Sequence, residues 1–229
     1  MSLRNFGITA LTICLLLAGC ATTIDMPFAD NSNAKPDPGK AIYLMTVTMK
    51  NVYHTSYQPD LIVVNVERSV VKSKADKLNF EMDDQGTDET GSSESGNTYL
   101  VRMQLEPGDY VIVGLSCLDR QFPIIASFFA PLHEKLAVAA PGVYYLGHVD
   151  ATVRERLGNE FKAGPSIPLI DQAVAGASGG TFDIAISDNW GVDQVQFDNK
   201  FPGLGGVAIN KQIMAPFDRA FAQKWWEEH

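Results

Sequence analysis

Cysteine is scarce in this chain, with three in 229 residues. Cys14 and Cys20 lie in one short amino-terminal stretch and Cys117 stands alone, so no internal disulfide framework is expected. Positive charge is also short: 18 Lys plus Arg face 27 Asp plus Glu. An acidic surface repels phosphate backbones, which argues against a nucleic-acid partner. Long apolar runs are missing as well. The longest, from Phe6 to Leu17, is interrupted by Gly7, Thr9 and Thr12. It falls short of the ~20 apolar residues that a membrane-spanning helix needs. Metal-ligand spacings are missing too. His54, His133, His148 and His229 form no His-x-x-x-His pair. The acidic segment from Asp83 puts Asp88, not glycine, at the sixth position of a calcium loop, and Gly86 falls at the fourth. Phe201 to Gly206 lacks the Gly-Lys-Ser/Thr of a phosphate loop. Ala177-Ser178-Gly179-Gly180 reads as a flexible loop, not a nucleophile setting. No catalytic residue, metal site or cofactor is therefore expected.

What is present begins at the amino terminus. Arg4, the apolar run and small residues before a cleavage point have the order of a secretory signal. Leu17-Ala18-Gly19-Cys20 resembles the lipobox of Gram-negative bacterial lipoproteins. That resemblance implies cleavage before Cys20, a diacylglyceryl group on its thiol, and acylation (palmitate or a similar chain) of the new amino terminus. Each buried methylene contributes ~0.8 kcal/mol, so several chains anchor firmly where one does not. Ala21 is not the aspartate that such families use for inner-membrane retention, so the resemblance implies the outer membrane, facing the periplasm. Cleavage removes one cation, Arg4, and no acid, leaving 17 Lys plus Arg against 27 Asp plus Glu, a formal charge of −10.

Residues 20–39 read as a tether, because Asp30 to Gly39 is rich in Asn, Asp and Pro. Strand patterns then follow quickly: Ala41 to Met49, Leu61 to Val66, Leu78 to Met82, Thr98 to Leu105, Tyr110 to Leu118, Val143 to Val153 and Thr181 to Ser187. Asp83 to Asn97 reads as a mobile acidic loop. Pro107-Gly108-Asp109-Tyr110 and Pro141-Gly142-Val143-Tyr144 echo each other as turns and suggest two hairpins. Strict alternation places Cys117 with Val111, Val113 and Leu115 in the core, and His148 with Tyr144 and Leu146 as a satisfied, half-buried histidine. Asp188-Asn189 caps a predicted helix from Trp190 to Asn199, and Pro216 opens a terminal helix to Glu228. The fold class is thus mainly β, an antiparallel β-sandwich over 40–187 with a helical region, 188–229, packed on it.

A second resemblance rests on Leu105-Glu106-Pro107-Gly108-Asp109-Tyr110, Gly142-Val143-Tyr144-Tyr145-Leu146-Gly147, and Ser187-Asp188-Asn189 leading to Phe201-Pro202. These pieces look like proteobacterial lipoproteins whose core is a transthyretin-like, carboxypeptidase-regulatory-like sandwich. The resemblance implies a fold and no activity. The sequence favours a non-enzymatic accessory or binding module of the envelope. Its alternatives are an envelope hydrolase with a non-local site and a periplasmic inhibitor or self-protection protein. Candidate partner-binding residues are the stripe residues Phe221, Trp225 and Trp226 and the basic cluster Arg68, Lys72 and Lys74, joined by Lys77. Such cations suit either an anionic partner or the protection of an edge strand. Cys20→Ser should leave the protein without lipid. The mass of the mature amino terminus and membrane fractionation check this, and an acylated variant would contradict the lipobox reading.

Overall fold

The computed structural model describes residues 22–121, 124–165 and 173–229; the signal segment and Cys20 lie outside them. The strands are β1 (Thr22–Asp25), β2 (Ala41–Asn51), β3 (Asp60–Arg68), β4 (Lys77–Glu81), β5 (Thr87–Asp88), β6 (Asn97–Leu105), β7 (Gly108–Gln121), β8 (Ile124–Val138), β9 (Gly142–Glu155), β10 (Gly180–Ser187) and β11 (Ile209–Lys211). The helices are α1 (Trp190–Lys200) and α2 (Arg219–Glu228). The protein is mainly β. One sheet runs β1-β4-β3-β7-β8, and the other runs β10-β9-β2-β6-β5 with β11 beside β9. Both are mixed, not purely antiparallel, because β1 lies parallel to β4, and β2 and β11 lie parallel to β9.

Alternation explains the core. Tyr43, Met45, Val47 and Met49 of β2 join Val64 and Val66 of β3 and Ile112 and Leu115 of β7 in one apolar cluster. The opposite face of β2 is not left to water. Ile42 and Leu44 join Leu100, Val143 and Tyr145 in a second cluster, roofed by Phe197, Phe201 and Leu204 from α1 and the turn after it. A central strand covered on both faces is buried nearly throughout, which is why β2 is.

The two Pro-Gly turns are corners, not hairpins. Each carries the chain from one sheet to the other, from β6 to β7 and from β8 to β9. In each, the tyrosine two residues after the glycine folds back on the turn: Tyr110 donates to the Glu106 carbonyl at 2.9 Å and Tyr144 to the Ala140 carbonyl at 3.2 Å. Cys117 is buried, as alternation suggests, but with Tyr110 and Ile112, not Val111 and Val113. The register of β7 slips at Val113 against both neighbouring strands, and one extra residue exchanges the faces. Burial pushes the Cys117 thiol far above its ordinary pKa.

Two stretches expected as free chain are packed. In place of a tether, β1 pairs with β4, Met26 is buried in the main core, and Phe28 lies against Phe201 at 6.3 Å. In place of a mobile loop, the Asp83 carboxylate accepts from Gly86 N–H at 2.8 Å, and β5 pairs with β6. Both stretches converge on Arg102, which is 0% exposed. Its Nε donates to the Pro27 carbonyl at 3.0 Å, its Nη1 to the Leu100 carbonyl at 2.7 Å, and its Nη2 to Asp83. Its guanidinium also lies 4.1 Å from the Phe201 ring centroid. Removing one partner of a buried ion pair strands the other charge. Asp83→Ala should therefore destabilise the fold by about 3–5 kcal/mol. Urea unfolding checks this, and a loss below about 1 kcal/mol would show that solvent takes over the role of Asp83.

Candidate functional site

Under α1, the outer face of the second sheet carries a chain of polar groups. Gly147 makes it. Its φ of 117° bulges β9 against β2, with a register slip between Leu44 and Thr46. A Cβ there would also press on the Ser187 carbonyl at 3.0 Å. The bulge turns His148 onto the face of Tyr145, where strict alternation would place it with Tyr144 and Leu146. Asp193, in the first turn of α1, comes down on both: Tyr145 donates to its carboxylate at 2.6 Å, and His148 Nδ1 lies 3.0 Å from Oδ1. On the other side of the ring, Nε2 lies 2.9 Å from the Thr48 hydroxyl. Asp193 is 0% exposed and His148 8%.

Burial alone would raise the Asp193 carboxyl, but its bonds from His148 and Tyr145 outweigh that and hold its pKa down. Thr46 stands close enough to help, although its hydroxyl lies outside hydrogen-bond geometry. Burial would lower the His148 imidazole; the bond and charge of Asp193, joined by the charge of Asp150, outweigh it and hold the ring above its ordinary value. The ionised carboxylate fixes the tautomer, so Nδ1–H donates to Asp193 and Nε2 of the neutral ring accepts from Thr48. A carboxylate, an imidazole and a hydroxyl in line can polarise the hydroxyl. Across the strand pair, Thr98 lies opposite Thr48 and lines a cleft of about 200 Å³ with Gln196, Asn199 and Lys200.

A second candidate lies between β8 and α2. Here a groove of about 350 Å³ is lined by His133, Glu134, Lys135, Phe217, Asp218 and Phe221, among others. His133 has φ 54° at the register slip of β7 against β8, and its buried Nε2 has no hydrogen-bond partner among the described residues. A non-glycine residue held there is strained, and strain of this kind gathers at functional positions. Desolvation, with His229 nearby, lowers the pKa of His133.

The sequence candidates divide. Phe221 is 51% exposed and lines the groove. Trp225 is half-buried, its ring 4.7 Å from His133 and 6.1 Å from Phe129. Trp226 packs on the main core under Arg156, so it faces inward. The helix begins at Arg219, later than Pro216, because Asp218 caps it by accepting from Phe221 N–H at 2.9 Å. Lys72 and Lys74 are exposed, whereas Arg68 lies over the Tyr110 ring and 3.8 Å from Asp76. Cys20 lies outside the described residues. Gly176-Ala177-Ser178-Gly179-Gly180 has the spacing of a nucleophile elbow, but a turn leading into β10 follows, not the strand–turn–helix context that exposes such a serine. Asp193, Tyr145 and Thr48 carry no local motif. The readable signal was Gly147, a lone glycine inside a strand pattern. No family model, curated protein or solved structure matches the chain.

The pair sets a pH dependence. The His148 pKa is raised from 6.5, so its stabilisation is complete below that pH and is lost as pH rises through the folded value. The Asp193 pKa is lowered from 3.8, so its stabilisation holds above that pH and is lost as pH falls through the folded value. His148→Gln should therefore flatten the fall in unfolding free energy as pH rises above 6.5. An unchanged slope in the variant would place the titration elsewhere.

Proposed function

We propose that this chain is a lipid-anchored, periplasm-facing envelope lipoprotein of the outer membrane, built on a transthyretin-like β-sandwich and acting as a non-enzymatic binding module. The anchor rests on Leu17-Ala18-Gly19-Cys20. The binding role rests on one observation, the groove between β8 and α2. It combines exposed Phe221, strained His133 with a buried nitrogen that has no hydrogen-bond partner among the described residues, and Glu134, Lys135 and Asp218 on its walls. An aromatic surface with a few convergent polar groups is the ordinary make-up of a recognition site. The partner is an envelope protein that inserts an apolar side chain beside Phe221. A photo-crosslinking amino acid at position 221 should capture one discrete envelope partner in cells, and the same group at Val195, on exposed α1, should not. Equal capture at both positions would overturn the groove as the binding surface.

The Thr48–His148–Asp193 chain favours a second reading, an envelope hydrolase with a non-local site. Its nucleophile would be Thr48, its base His148, and its cleft the one lined by Thr98 and Lys200. Against it, the Asp150 carboxylate lies 3.7 Å from Nε2, where it opposes a developing oxyanion. Covalent labelling by a fluorophosphonate probe that is abolished by Thr48→Ala would select this reading over the binding module.

A further inference from the structure

We infer that the loop between β3 and β4, residues 69–76, together with Lys77, is a docking surface for anionic phospholipid that lies flat on the bilayer beside the anchor. The inference rests on the lipid-anchor reading of Cys20. Thr22, the first residue of β1, pairs with Leu78, the second residue of β4. Two residues of extended chain span at most ~7 Å, so acylation at Cys20 holds this end of β4 against the membrane. The same end carries Lys72, Lys74 and Lys77, all exposed, in a chain that is otherwise strongly acidic. Beside them stand two apolar side chains in water, Val70 at 67% exposure and Val71 at 41%.

Protection of an open strand edge does not account for these lysines, because β1 already covers the edge of β4. Local neutralisation does not account for them either. Lys72, Lys74 and Lys77 form no salt bridge among the described residues. The one acid in the loop, Asp76, is occupied by Lys72 N–H, Ser73 N–H and the Ser73 hydroxyl, and stands by Arg68. Those bonds hold the loop in shape while its ammonium groups point to solvent. Across the strand, Glu67 lies opposite Lys77. Farther off, Lys40 is paired with Glu106 in the neighbouring corner.

A cluster of acids stands at the other end: β4 closes on Glu81, followed by Asp83 and Asp84; β3 opens at Asp60; β7 holds Asp119 two residues from its end. At the lysine end Asp109 adjoins the loop, its carbonyl accepting from Ser69 N–H at 2.9 Å. Screening confines membrane attraction to roughly the first 10 Å, so the lysines feel the bilayer and the distant acids do not. The surface is thus a cationic loop with an apolar tip, matched to an anionic interface and placed where the anchor delivers it.

The test uses the full, lipidated chain. With Cys20 acylated and Cys117 buried, Val71→Cys takes an environment-sensitive fluorophore selectively. The labelled protein is reconstituted into vesicles of phosphatidylcholine alone or of phosphatidylcholine and phosphatidylglycerol at about 7:3, each with a spin-labelled lipid quencher. Docking predicts quenching on phosphatidylglycerol vesicles that is lost on phosphatidylcholine alone, in about 1 M salt, and in the Lys72→Gln/Lys74→Gln/Lys77→Gln variant. A label at position 70 should repeat the pattern, and one at Val192 on α1 should not respond. A protein that fails to float even with phosphatidylcholine vesicles overturns the anchor. A protein that floats but leaves position 71 unquenched on phosphatidylglycerol overturns the docking surface and leaves the anchor standing. Quenching that appears only after envelope protein is added assigns the loop to a protein partner and overturns it as well.

Discussion

A buried guanidinium fixes how this chain closes. Arg102 sits on the outer face of the second sheet, where an apolar residue would be expected to meet the roof of α1. It reaches the carbonyl of Pro27, the carboxylate of Asp83 and the ring of Phe201. Three stretches that come from distant parts of the sequence are thereby held to one point. Desolvation works against the charge and lowers its pKa, and the pairing with Asp83 works in the other direction. Such a charge adds little net stability over an apolar residue, but it tolerates few other arrangements of its partners. In this chain it holds the Pro27 carbonyl, the acidic segment and the turn after α1 at one point on the outer face of the second sheet.

The roof over that sheet is fastened a second time by Asp193. Apolar contacts through Phe197 and Phe201 draw α1 down, and the bonds from Tyr145 and His148 fix where it stops. The first turn of a helix is favourable ground for a carboxylate, since it faces unpaired backbone donors there. The same carboxylate orients an imidazole toward Thr48. One group therefore serves the docking of a helix and the polarisation of a hydroxyl, which is why the cluster supports both a structural and a chemical reading.

The mainly β character was legible because alternation survives in β2, β6 and β10. So was α1, marked by Asp188-Asn189 before it and Phe201-Pro202 after it. The faces were misread wherever a strand gains a residue. Val113 exchanges the neighbours of Cys117, and Gly147 exchanges those of His148. Period-two reasoning has no memory across a bulge, so one slip misplaces everything beyond it. The Pro-Gly turns were recognised as turns but not as corners, because turn chemistry does not say which sheet the next strand joins. The amino-terminal and acidic stretches were read from polarity alone. Their anchors, Met26, Pro27 and Asp83, each make a long-range contact that no local window contains.

The parallel pairing of β2 with β9 has a kinetic consequence. Thr48 and His148, joined by a hydrogen bond, are 100 residues apart in sequence. The central strand of the second sheet cannot be completed until more than half the chain is present, and closing so long a loop is entropically slow. Until then β2 keeps one bare edge, and its outer face stays exposed for longer still, until α1 and the turn after it arrive. A chain delivered through a membrane amino terminus first would spend that interval open, and would depend on an escort or on rapid collapse to stay out of aggregates.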